Sequence, residues 1–380
     1  MIKIVADSKI PFLEGALESV ARIEYLPGGA ISRKHLKDTD GLIIRTRTKC
    51  NRELLEGTSV RFIATATIGY DHIDGDYCRE RGITWTSAPG CNSSSVRQYI
   101  VSALLWLAVN RKMKLHGKTM GVIGVGNVGS KVASAAKVLG MNALLNDPPR
   151  ERREGSEAFV SLKELLERSD IITLHVPLNR GGTDNTWHLV NREFTGHLRK
   201  DTILINSSRG SVVDESALME GIRSGVLSDT ILDVFENEPV VSKELIDMIT
   251  LATPHIAGYS LDGKANGTRM SVEAVSRFFK LGLDHWTPGS IPEPETAELL
   301  ADASGKNIYN FLWELFRQTY DISSDDQRLR GATQNFEELR GNYPFRREPV
   351  AYAVRAFQAD QEIRGILEEL GFDVLSDQCM

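Results

Sequence analysis

Cysteine is scarce in this chain, and its few cysteines lie far apart. Four of the 380 residues are cysteine, namely Cys50, Cys78, Cys91 and Cys379. Their spacing fits neither a metal-binding motif nor a disulfide framework, so the sequence predicts no metal site. We expect free, partly buried thiols in a reducing compartment, which points to the cytoplasm.

Positive charge is not in excess, and long apolar runs are missing. A net charge of −6 at pH 7 argues against a broad nucleic-acid-binding surface. No apolar run approaches the roughly 20 residues that span a bilayer, and the opening residues Met1–Asp7 fit a first strand rather than a signal peptide. Nucleic acid and membrane are therefore not predicted as partners. What remains is an ordinary globular composition, long enough for about two or three domains.

The most informative stretch is a glycine-rich turn between a predicted strand, Thr119–Ile123, and a predicted helix. The turn reads Gly124-Val125-Gly126-Asn127-Val128-Gly129. In a dinucleotide-binding turn, the first glycine permits a tight bend, the second lets a pyrophosphate approach, and the third allows close helix packing. The helix-opening amides of Asn127 and Val128 suit the same anion. The turn therefore predicts a dinucleotide site.

An acidic residue after the next predicted strand supports this interpretation. Strand Asn142–Asn146 is followed by Asp147, roughly 20 residues beyond Gly124, where a ribose-binding carboxylate is expected. An ordinary glycine-rich turn is the alternative, but strand, glycines, helix, strand and acid come in the required order. Arg150, three residues after Asp147, leaves some use of NADP open. We favour NAD, because the carboxylate of Asp147 repels the 2′-phosphate of NADP.

Alternating strand and helix patterns predict an α/β fold with two parallel sheets. In residues 1–92, apolar strands separated by helical stretches, such as one at Pro11–Val20, predict a flavodoxin-like substrate-binding domain that residues 258–286 complete. Residues 93–257 predict a Rossmann domain for the dinucleotide, because unbroken apolar strands are typical of a sheet covered on both faces. Residues 287–380 predict a small α+β domain that could pair subunits or cover an active site, and we favour pairing.

Polar residues follow several strands of the predicted Rossmann domain, on the sheet edge that carries the glycine turn. They are Arg209, Asp233, Glu238 and His255. An arginine there suits a carboxylate, and a histidine beside a carboxylate can transfer a proton near neutral pH. Spacing alone leaves alternatives open, namely a helix cap for Arg209, a surface turn for Glu238 and a structural role for His255.

Two strand ends in the first domain are polar as well. One is Arg45-Thr46-Arg47-Thr48-Lys49, and the other is Ala64–Asp71. Ligands of open α/β sheets bind beyond the carboxyl ends of strands, although position alone fits a solvated loop equally well.

The residues at these strand ends resemble those of the D-2-hydroxyacid dehydrogenase family. The matching motifs are the glycine turn, Asn206–Gly210, Asp233–Pro239 and Thr253–Gly258. They span most of residues 40–285 in the family's order. One branch of the family acts on a phosphorylated 2-hydroxy acid and carries a C-terminal tail of about this length. The chain is similar to that branch at 45–49, 64–74, 88–92, 147–150 and 255–265.

The resemblance implies that a homodimer oxidises a small phosphorylated 2-hydroxy acid with NAD. Arg209 would hold the substrate carboxylate, His255 would accept the hydroxyl proton, and Glu238 would orient His255 and raise its pKa. The implied NAD contacts are Gly124, Gly126, Asn127, Val128, Gly129, Asp147, Ser207, Ser208, Asp233 and Gly258. The implied substrate contacts are Arg45, Thr46, Thr67 and Tyr259. Two alternatives stay open: a dehydrogenase for glycerate or 3-phosphoglycerate, and a non-catalytic corepressor of the same fold that senses NAD.

Overall fold

The computed structural model describes residues 1–376 and shows two compact units. The first unit consists of Met1–Asn92 with Ser260–Pro292, and the second of Ser93–Tyr259 with the C-terminal segment from Glu293. Cys379 lies outside the described residues.

Strands and helices alternate along most of the chain. The strands are β1 (Ile2–Asp7), β2 (Ala21–Leu26), β3 (Gly41–Ile44), β4 (Phe62–Thr65), β5 (Thr84–Thr86), β6 (Thr119–Ile123), β7 (Asn142–Asn146), β8 (Ile171–Leu174), β9 (Thr202–Asn206), β10 (Leu227–Leu232), β11 (Leu251–Ala252), β12 (Glu298–Asp302), β13 (Ala353–Phe357) and β14 (Asp373–Val374). The α-helices are α1 (Arg52–Leu55), α2 (Gly75–Glu80), α3 (Ser93–Asn110), α4 (Asn127–Val138), α5 (Pro148–Glu154), α6 (Leu162–Arg168), α7 (Arg192–Gly196), α8 (Glu215–Arg223), α9 (Lys243–Met248), α10 (Leu261–Phe279), α11 (Ile308–Thr319), α12 (Ile322–Gly331), α13 (Phe336–Gly341) and α14 (Gln361–Leu370).

The first unit is built around a five-stranded parallel sheet with the order β2-β1-β3-β4-β5. This is the strand order of flavodoxin-like folds, as predicted. Strands β3 and β4 are buried along their whole length. Val272 and Val275 of α10 pack into the apolar cluster on one face of the sheet.

The helix predicted at Pro11–Val20 does not form. The segment is a series of turns, in which Phe12 and Gly15 have positive φ angles of 63° and 85°. The carboxylate of Glu18 accepts the amides of Gly15 and Leu17 at 2.9 and 3.0 Å. The prediction was wrong because these side-chain bonds satisfy the backbone without a helix, while Leu17 is still buried.

The second unit contains a six-stranded parallel sheet with the order β11-β10-β9-β8-β6-β7. Strand β6 lies between β7 and β8, so the chain leaves it first to one side and then to the other. Such a reversal opens a crevice beyond the carboxyl ends of the strands, where ligands of doubly wound sheets bind. The glycine turn starts at this end of β6. Apolar clusters cover the sheet, and the predicted second Rossmann-like sheet is confirmed.

The C-terminal segment adds a third sheet, with the order β12-β13-β14 and parallel pairing throughout. Helix α11 packs on α3, and Phe311 and Leu315 of α11 share an apolar cluster with Leu104 of α3. The segment thus shares a core with the six-stranded sheet. None of the helices within residues 1–376 is long and apolar enough to cross a membrane.

Candidate active site

The three glycines of the turn differ in backbone conformation and in the space around them. Gly124 has a φ of +85°, and a Cβ there would lie 2.6 Å from the carbonyl oxygen of His175. A Cβ on Gly129 would lie 2.0 Å from the carbonyl oxygen of Gly124, so α4 can approach β6 only without a side chain here. A Cβ on Gly126, by contrast, would meet no heavy atom within 4 Å. The turn is closed around two glycines and open at the third.

The open position coincides with the positive end of a helix. Gly126 directly precedes α4 and has no side chain with which to cap it. Asn127 and Val128 lie in the first turn of α4, where backbone amides have no acceptor within the helix. Free amides and the helix dipole favour an anion. These residues fit the pyrophosphate of a dinucleotide.

Asp147 connects the glycine turn to α5. Its Oδ2 accepts the amide of Val125 at 2.8 Å, and its Oδ1 accepts the amide of Arg150 at 2.9 Å. The carboxylate therefore lies at the rim of the turn, where a ribose is bound in this fold. Arg150 pairs with Glu154 at 2.5 Å and lies 5.5 Å over the ring of Phe159. Its guanidinium also donates to the carbonyl oxygen of Val125 in the glycine turn at 2.5 Å. Because these partners already hold the guanidinium, the arrangement fits NAD better than NADP.

Arg209 follows a tightly fixed bend at the end of β9. Asn206 accepts the amide and the hydroxyl of Ser208 at 3.0 and 2.7 Å, and it donates to the carbonyl oxygen of Arg209 at 3.0 Å. A Cβ on Gly210 would lie 1.8 Å from a neighbouring main-chain oxygen, so only glycine fits there. The bend holds Ser207, Ser208 and Arg209 beyond the carboxyl end of the strand.

Glu238 and His255 form a hydrogen-bonded pair. Oε2 of Glu238 lies 2.6 Å from Nδ1 of His255, and Oε1 accepts the amide of Phe235 at 2.9 Å. Burial raises the pKa of Glu238, but the bond to His255, the Phe235 amide and the charge of Arg340 lower it below its ordinary value. The carboxylate is therefore the acceptor, so Nδ1 carries the proton and Nε2 is the nitrogen that can take another.

The pKa of His255 lies below its ordinary value, although the pairing with Glu238 acts to raise it, as the resemblance implied. Burial is the largest cause, and the charges of Arg340 and Arg209 act in the same direction. Glu238 does raise the pKa, but its contribution does not offset the others. A histidine of lowered pKa is neutral at neutral pH and can accept a proton there.

Asp233 organises the loop that carries His255. Its Oδ1 accepts the hydroxyl of Thr253 at 2.7 Å and the amide of Ile256 at 2.8 Å, and its Oδ2 accepts the amide of Ala257 at 2.9 Å. Burial, partly offset by these bonds, raises the pKa of Asp233 to about 7. The loop holds His255 at a φ of +57°. A contact between Asp233 and the cofactor stays a prediction.

The C-terminal segment reaches the same loop through Arg346. The buried guanidinium of Arg346 donates to the carbonyl oxygens of Ile256 and Ala257 at 3.3 and 2.7 Å, and also to the hydroxyl of Ser95 in α3. The sequence analysis did not predict a role for Arg346. No local signal could have revealed these bonds, because the partners are two main-chain oxygens and a serine hydroxyl that lie far from Arg346 in the sequence.

Tyr259 also contacts the C-terminal segment, which the sequence analysis did not predict. It follows Gly258 at the end of the His255 loop, and the guanidinium carbon of Arg340 lies 5.7 Å from the centre of its ring. Tyr343 packs edge-on against the same ring, with 6.0 Å between the ring centres. Arg340 belongs to α13 and to no motif, so only the fold brings it here.

The predicted substrate residues of the first unit lie beyond the carboxyl ends of β3 and β4. Nε of Arg45 is 3.1 Å from Oδ2 of the buried Asp7, and Thr46 follows in the next turn. The hydroxyl of Thr67 lies 2.8 Å from that of Thr65, the last residue of β4. Contacts of these side chains with a substrate stay predictions.

Two stretches of the chain match known protein families. Residues 97–257 match the NAD binding domain of D-isomer specific 2-hydroxyacid dehydrogenases. Residues 291–371 match a family described as a domain of unknown function. The first stretch holds the glycine turn, Arg209, Glu238 and His255.

Curated proteins named erythronate-4-phosphate dehydrogenase are similar to almost the whole chain. The one from Bacteroides fragilis is 50% identical over 355 residues, which cover 93% of this chain and 99% of the relative. The one from Porphyromonas gingivalis is 40% identical over 354 residues, which cover 93% of this chain and 95% of the relative.

Solved structures of similar fold include complexes with NAD. D-lactate dehydrogenase from Aquifex aeolicus, complexed with NAD and lactic acid, is 29% identical with a TM-score of 0.62, covering 74% of this chain and 96% of that one. NAD-bound 3-phosphoglycerate dehydrogenase from Entamoeba histolytica is 26% identical with a TM-score of 0.62, covering 77% and 99%. The predicted fold class and the predicted cofactor, NAD, are confirmed.

Proposed function

The chain belongs to the D-isomer specific 2-hydroxyacid dehydrogenase family, and we propose that it oxidises 4-phospho-D-erythronate with NAD. The main support for this reaction is the 2.6 Å hydrogen bond between Glu238 and His255. It occupies Nδ1 of the imidazole and leaves Nε2 available to accept a proton. The name of the relatives that are 40–50% identical to this chain supports the choice of substrate.

The proposed reaction breaks the O–H bond and the C2–H bond of the substrate alcohol. The products are 2-oxo-3-hydroxy-4-phosphobutanoate, NADH and a proton. NAD, when bound, supplies the hydride acceptor. Nε2 of His255 takes the hydroxyl proton, while Glu238 holds Nδ1 and stabilises the imidazolium that forms.

Arg209 is proposed to hold the substrate through its C1 carboxylate. A guanidinium can give a carboxylate two parallel hydrogen bonds, which fixes the direction of the neighbouring C2 oxygen. The bend after β9 supports this role because it anchors the main chain of Arg209.

The remaining contacts are proposed from the family resemblance. Arg45, Thr46, Thr67 and Tyr259 would touch the substrate. The phosphate needs a cation, for which Arg45, Arg47 and Lys49 are the candidates. The proposed NAD contacts are Gly124, Gly126, Asn127, Val128, Gly129, Asp147, Ser207, Ser208, Asp233 and Gly258.

We also propose a homodimer in the cytoplasm that serves pyridoxal 5′-phosphate synthesis. Exposed apolar side chains of the C-terminal segment support pairing, namely Leu300, Phe345, Val350 and Phe357. The free thiols of the buried Cys50 and Cys78 support a reducing compartment.

Oxidation of 3-phosphoglycerate is the second candidate. A 3-phosphoglycerate dehydrogenase shares the fold at a TM-score of 0.62, but it is only 26% identical. Both substrates carry a carboxylate, a 2-hydroxyl and a phosphate, so the site described here would suit the chemistry of either.

The test is a comparison of substrates with purified protein and NAD. NADH absorbance and 2-oxo acid formation are followed with 4-phospho-D-erythronate, with 3-phosphoglycerate and with unphosphorylated D-erythronate, and the His255→Asn variant is the control. We expect turnover that prefers 4-phospho-D-erythronate and is absent from the variant. Turnover of 3-phosphoglycerate alone would show that the proposed substrate is wrong, while the assignment to the family would stand. Tight NAD binding without turnover of any substrate would favour the corepressor alternative.

A further inference from the structure

We propose that Arg346 of the C-terminal segment is a positioning residue for the oxidation, which holds the His255 loop, residues 253–258, by two of its carbonyl oxygens. The inference rests on the proposed function, because it concerns the group that would accept a proton from the substrate alcohol. Arg346 acts on His255 through the main chain of the loop and not by touching substrate or cofactor.

The hydrogen bonds of the Arg346 side chain go to the His255 loop and to a residue that supports it. Nη2 donates to the carbonyl oxygens of Ala257 at 2.7 Å and Ile256 at 3.3 Å, and also to the hydroxyl of Ser95. That hydroxyl in turn donates to the carbonyl oxygen of Ala257 at 2.9 Å. None of the described residues accepts a hydrogen bond from Nε or Nη1 of Arg346. The guanidinium thus directs its hydrogen bonds to one stretch of main chain.

The guanidinium of Arg346 is itself held in place by two aromatic rings. Its central carbon lies 4.4 Å from the ring centre of Tyr320 and 5.8 Å from that of Tyr343. The hydroxyl of Tyr343 donates to the buried carboxylate of Asp325 at 2.8 Å, which fixes the second ring. Arg346 is only 4% exposed, so hydrogen bonds and ring contacts must offset its lost hydration. Its orientation towards the loop is therefore well defined.

The same two loop residues are held from another side by Asp233. The amides of Ile256 and Ala257 donate to its carboxylate, so the amide and the carbonyl oxygen of both residues have a partner outside the loop. His255 directly precedes them and has a φ of +57°. Residues other than glycine rarely adopt this conformation, and it persists only where the surroundings impose it. The bonds from Asp233 and Arg346 impose it here.

A small displacement of the His255 loop would slow proton transfer. Nε2 of His255 must come within hydrogen-bond reach of the substrate hydroxyl, and a misplacement of about 1 Å can cost about 10²-fold in rate. Glu238 holds Nδ1 of the imidazole, but it does not fix the main chain from which the ring extends. That task falls to Asp233 and, from the C-terminal segment, to Arg346.

The test compares two replacements of Arg346 with a matched control. Arg346→Met removes the N–H donors but keeps a long side chain, while Arg346→Lys keeps the charge on an ammonium group that cannot reproduce the guanidinium geometry. Arg97→Met is the control. Arg97 also donates to two main-chain oxygens of the second unit, those of Leu370 at 2.8 Å and Glu369 at 3.3 Å, but to none in the His255 loop.

A second replacement tests the same hold without removing an arginine. Ser95→Ala deletes the other donor to the carbonyl oxygen of Ala257 and changes only one atom of the side chain. Thermal unfolding shows which variants are folded. If neither Arg346 variant folds, Ser95→Ala decides the test.

Two quantities are then measured on each folded variant. Hydrogen–deuterium exchange, followed by mass spectrometry in the protein without ligands, reports on the amides of the His255 loop and of the remaining chain. Rapid mixing gives the rate of NADH formation in a single turnover of 4-phospho-D-erythronate, with NAD and substrate both saturating, so that neither binding nor product release sets the rate. If the wild type did not turn over this substrate, the proposed function would be wrong, and the exchange rates would still show whether Arg346 holds the loop.

We expect faster exchange in the His255 loop of Arg346→Met, with the strands of the six-stranded sheet exchanging as in the wild type. The single-turnover rate should fall at least about tenfold. Arg346→Lys and Ser95→Ala should show smaller changes in the same direction, and Arg97→Met should match the wild type in both quantities.

A wild-type rate or wild-type loop exchange in Arg346→Met would overturn the proposal, as would the same result in Ser95→Ala if that is the only variant to fold. Faster exchange spread evenly over the second unit would also overturn it, because Arg346 would then contribute to general stability and not to the position of His255.

Discussion

Nδ1 of His255 and Oε2 of Glu238 lie 2.6 Å apart, and the second oxygen of Glu238 is held by the amide of Phe235. The imidazole is therefore fixed by one nitrogen while the other faces away from the carboxylate. Because Glu238 opposes burial and two arginines in setting the pKa of His255, substitutions on either side should move it in opposite directions.

Glu238→Gln should lower the pKa of His255 further. The variant keeps a hydrogen-bond acceptor but loses the negative charge that favours the imidazolium. We expect the acidic limb of kcat/KM to move to lower pH and kcat to fall at least about tenfold, since the imidazolium formed during oxidation is no longer stabilised. A pH profile of both parameters checks this.

A shift to higher pH in Glu238→Gln would contradict this account of the site. Glu244→Gln is a suitable control, because Glu244 pairs with Arg223 on the surface of the same unit. That change should leave the profile as it is in the wild type.

Arg209→Lys should lose about 99% of kcat/KM, a loss of about 10²-fold. Lysine keeps the charge but cannot give a carboxylate two parallel hydrogen bonds. Steady-state kinetics with the oxidised substrate, together with NAD binding followed by calorimetry, provide the measurement. NAD affinity should stay within about threefold of the wild type. Activity near the wild-type level would remove Arg209 from the proposed carboxylate site.

Gly126→Ala and Gly129→Ala should separate cofactor binding from folding. The added methyl group at position 126 meets no protein atom within 4 Å, so stability should change by less than about 1 kcal/mol while NAD affinity falls at least about tenfold. The methyl group at position 129 would lie 2.0 Å from the oxygen of Gly124, and overpacking of this kind costs about 1–3 kcal/mol or more.

Urea unfolding and NAD calorimetry distinguish the two glycine variants. If Gly126→Ala bound NAD as tightly as the wild type, the pyrophosphate would not lie where the turn is open. If Gly129→Ala were as stable as the wild type, the close approach of α4 to β6 would not need glycine.

Stability should fall as the solution is acidified, in part because of His175. Burial lowers the pKa of His175 from 6.5 to about 3, and its Nε2 lies 3.0 Å from the hydroxyl of Thr173. Below pH 6.5 the unfolded chain takes a proton that the folded chain does not, so stability is lost as pH falls from 6.5 towards 3. The contribution is at most about 1.4 kcal/mol per pH unit.

His175→Gln provides the check on this contribution. Glutamine can keep a bond to Thr173 but does not titrate. In urea unfolding at pH 7, 6 and 5, the variant should lose less free energy of unfolding than the wild type over that range. Equal losses would show that His175 does not carry the effect.

The sequence predicted those parts of the site that follow from local geometry. The glycine turn with Asp147 was predictable because the bend, the helix start and the acid must occur in a fixed order along the chain. Arg209 and His255 were predictable as candidates because parallel strands end on one edge of a sheet.

Features that depend on long-range packing were not predictable in this way. Pro11–Val20 has apolar residues suited to a helix, yet Glu18 satisfies its turns instead. The lowered pKa of His255 depends on burial and on Arg340, which reaches the site only because the C-terminal segment packs on α3. The spacing of residues along the chain does not show that Glu18 caps these turns or that Arg340 lies near His255.

The most direct test of the central claim follows the hydrogen at C2 of the substrate. The protein is incubated with NAD and 4-phospho-D-erythronate deuterated at C2, and the cofactor and the 2-oxo acid are analysed by mass spectrometry. The account predicts one deuterium in each NADH formed, one 2-oxo product for each NADH, and neither product with His255→Asn. NADH without deuterium, or the same yield from His255→Asn, would contradict hydride transfer from C2 with His255 as the proton acceptor.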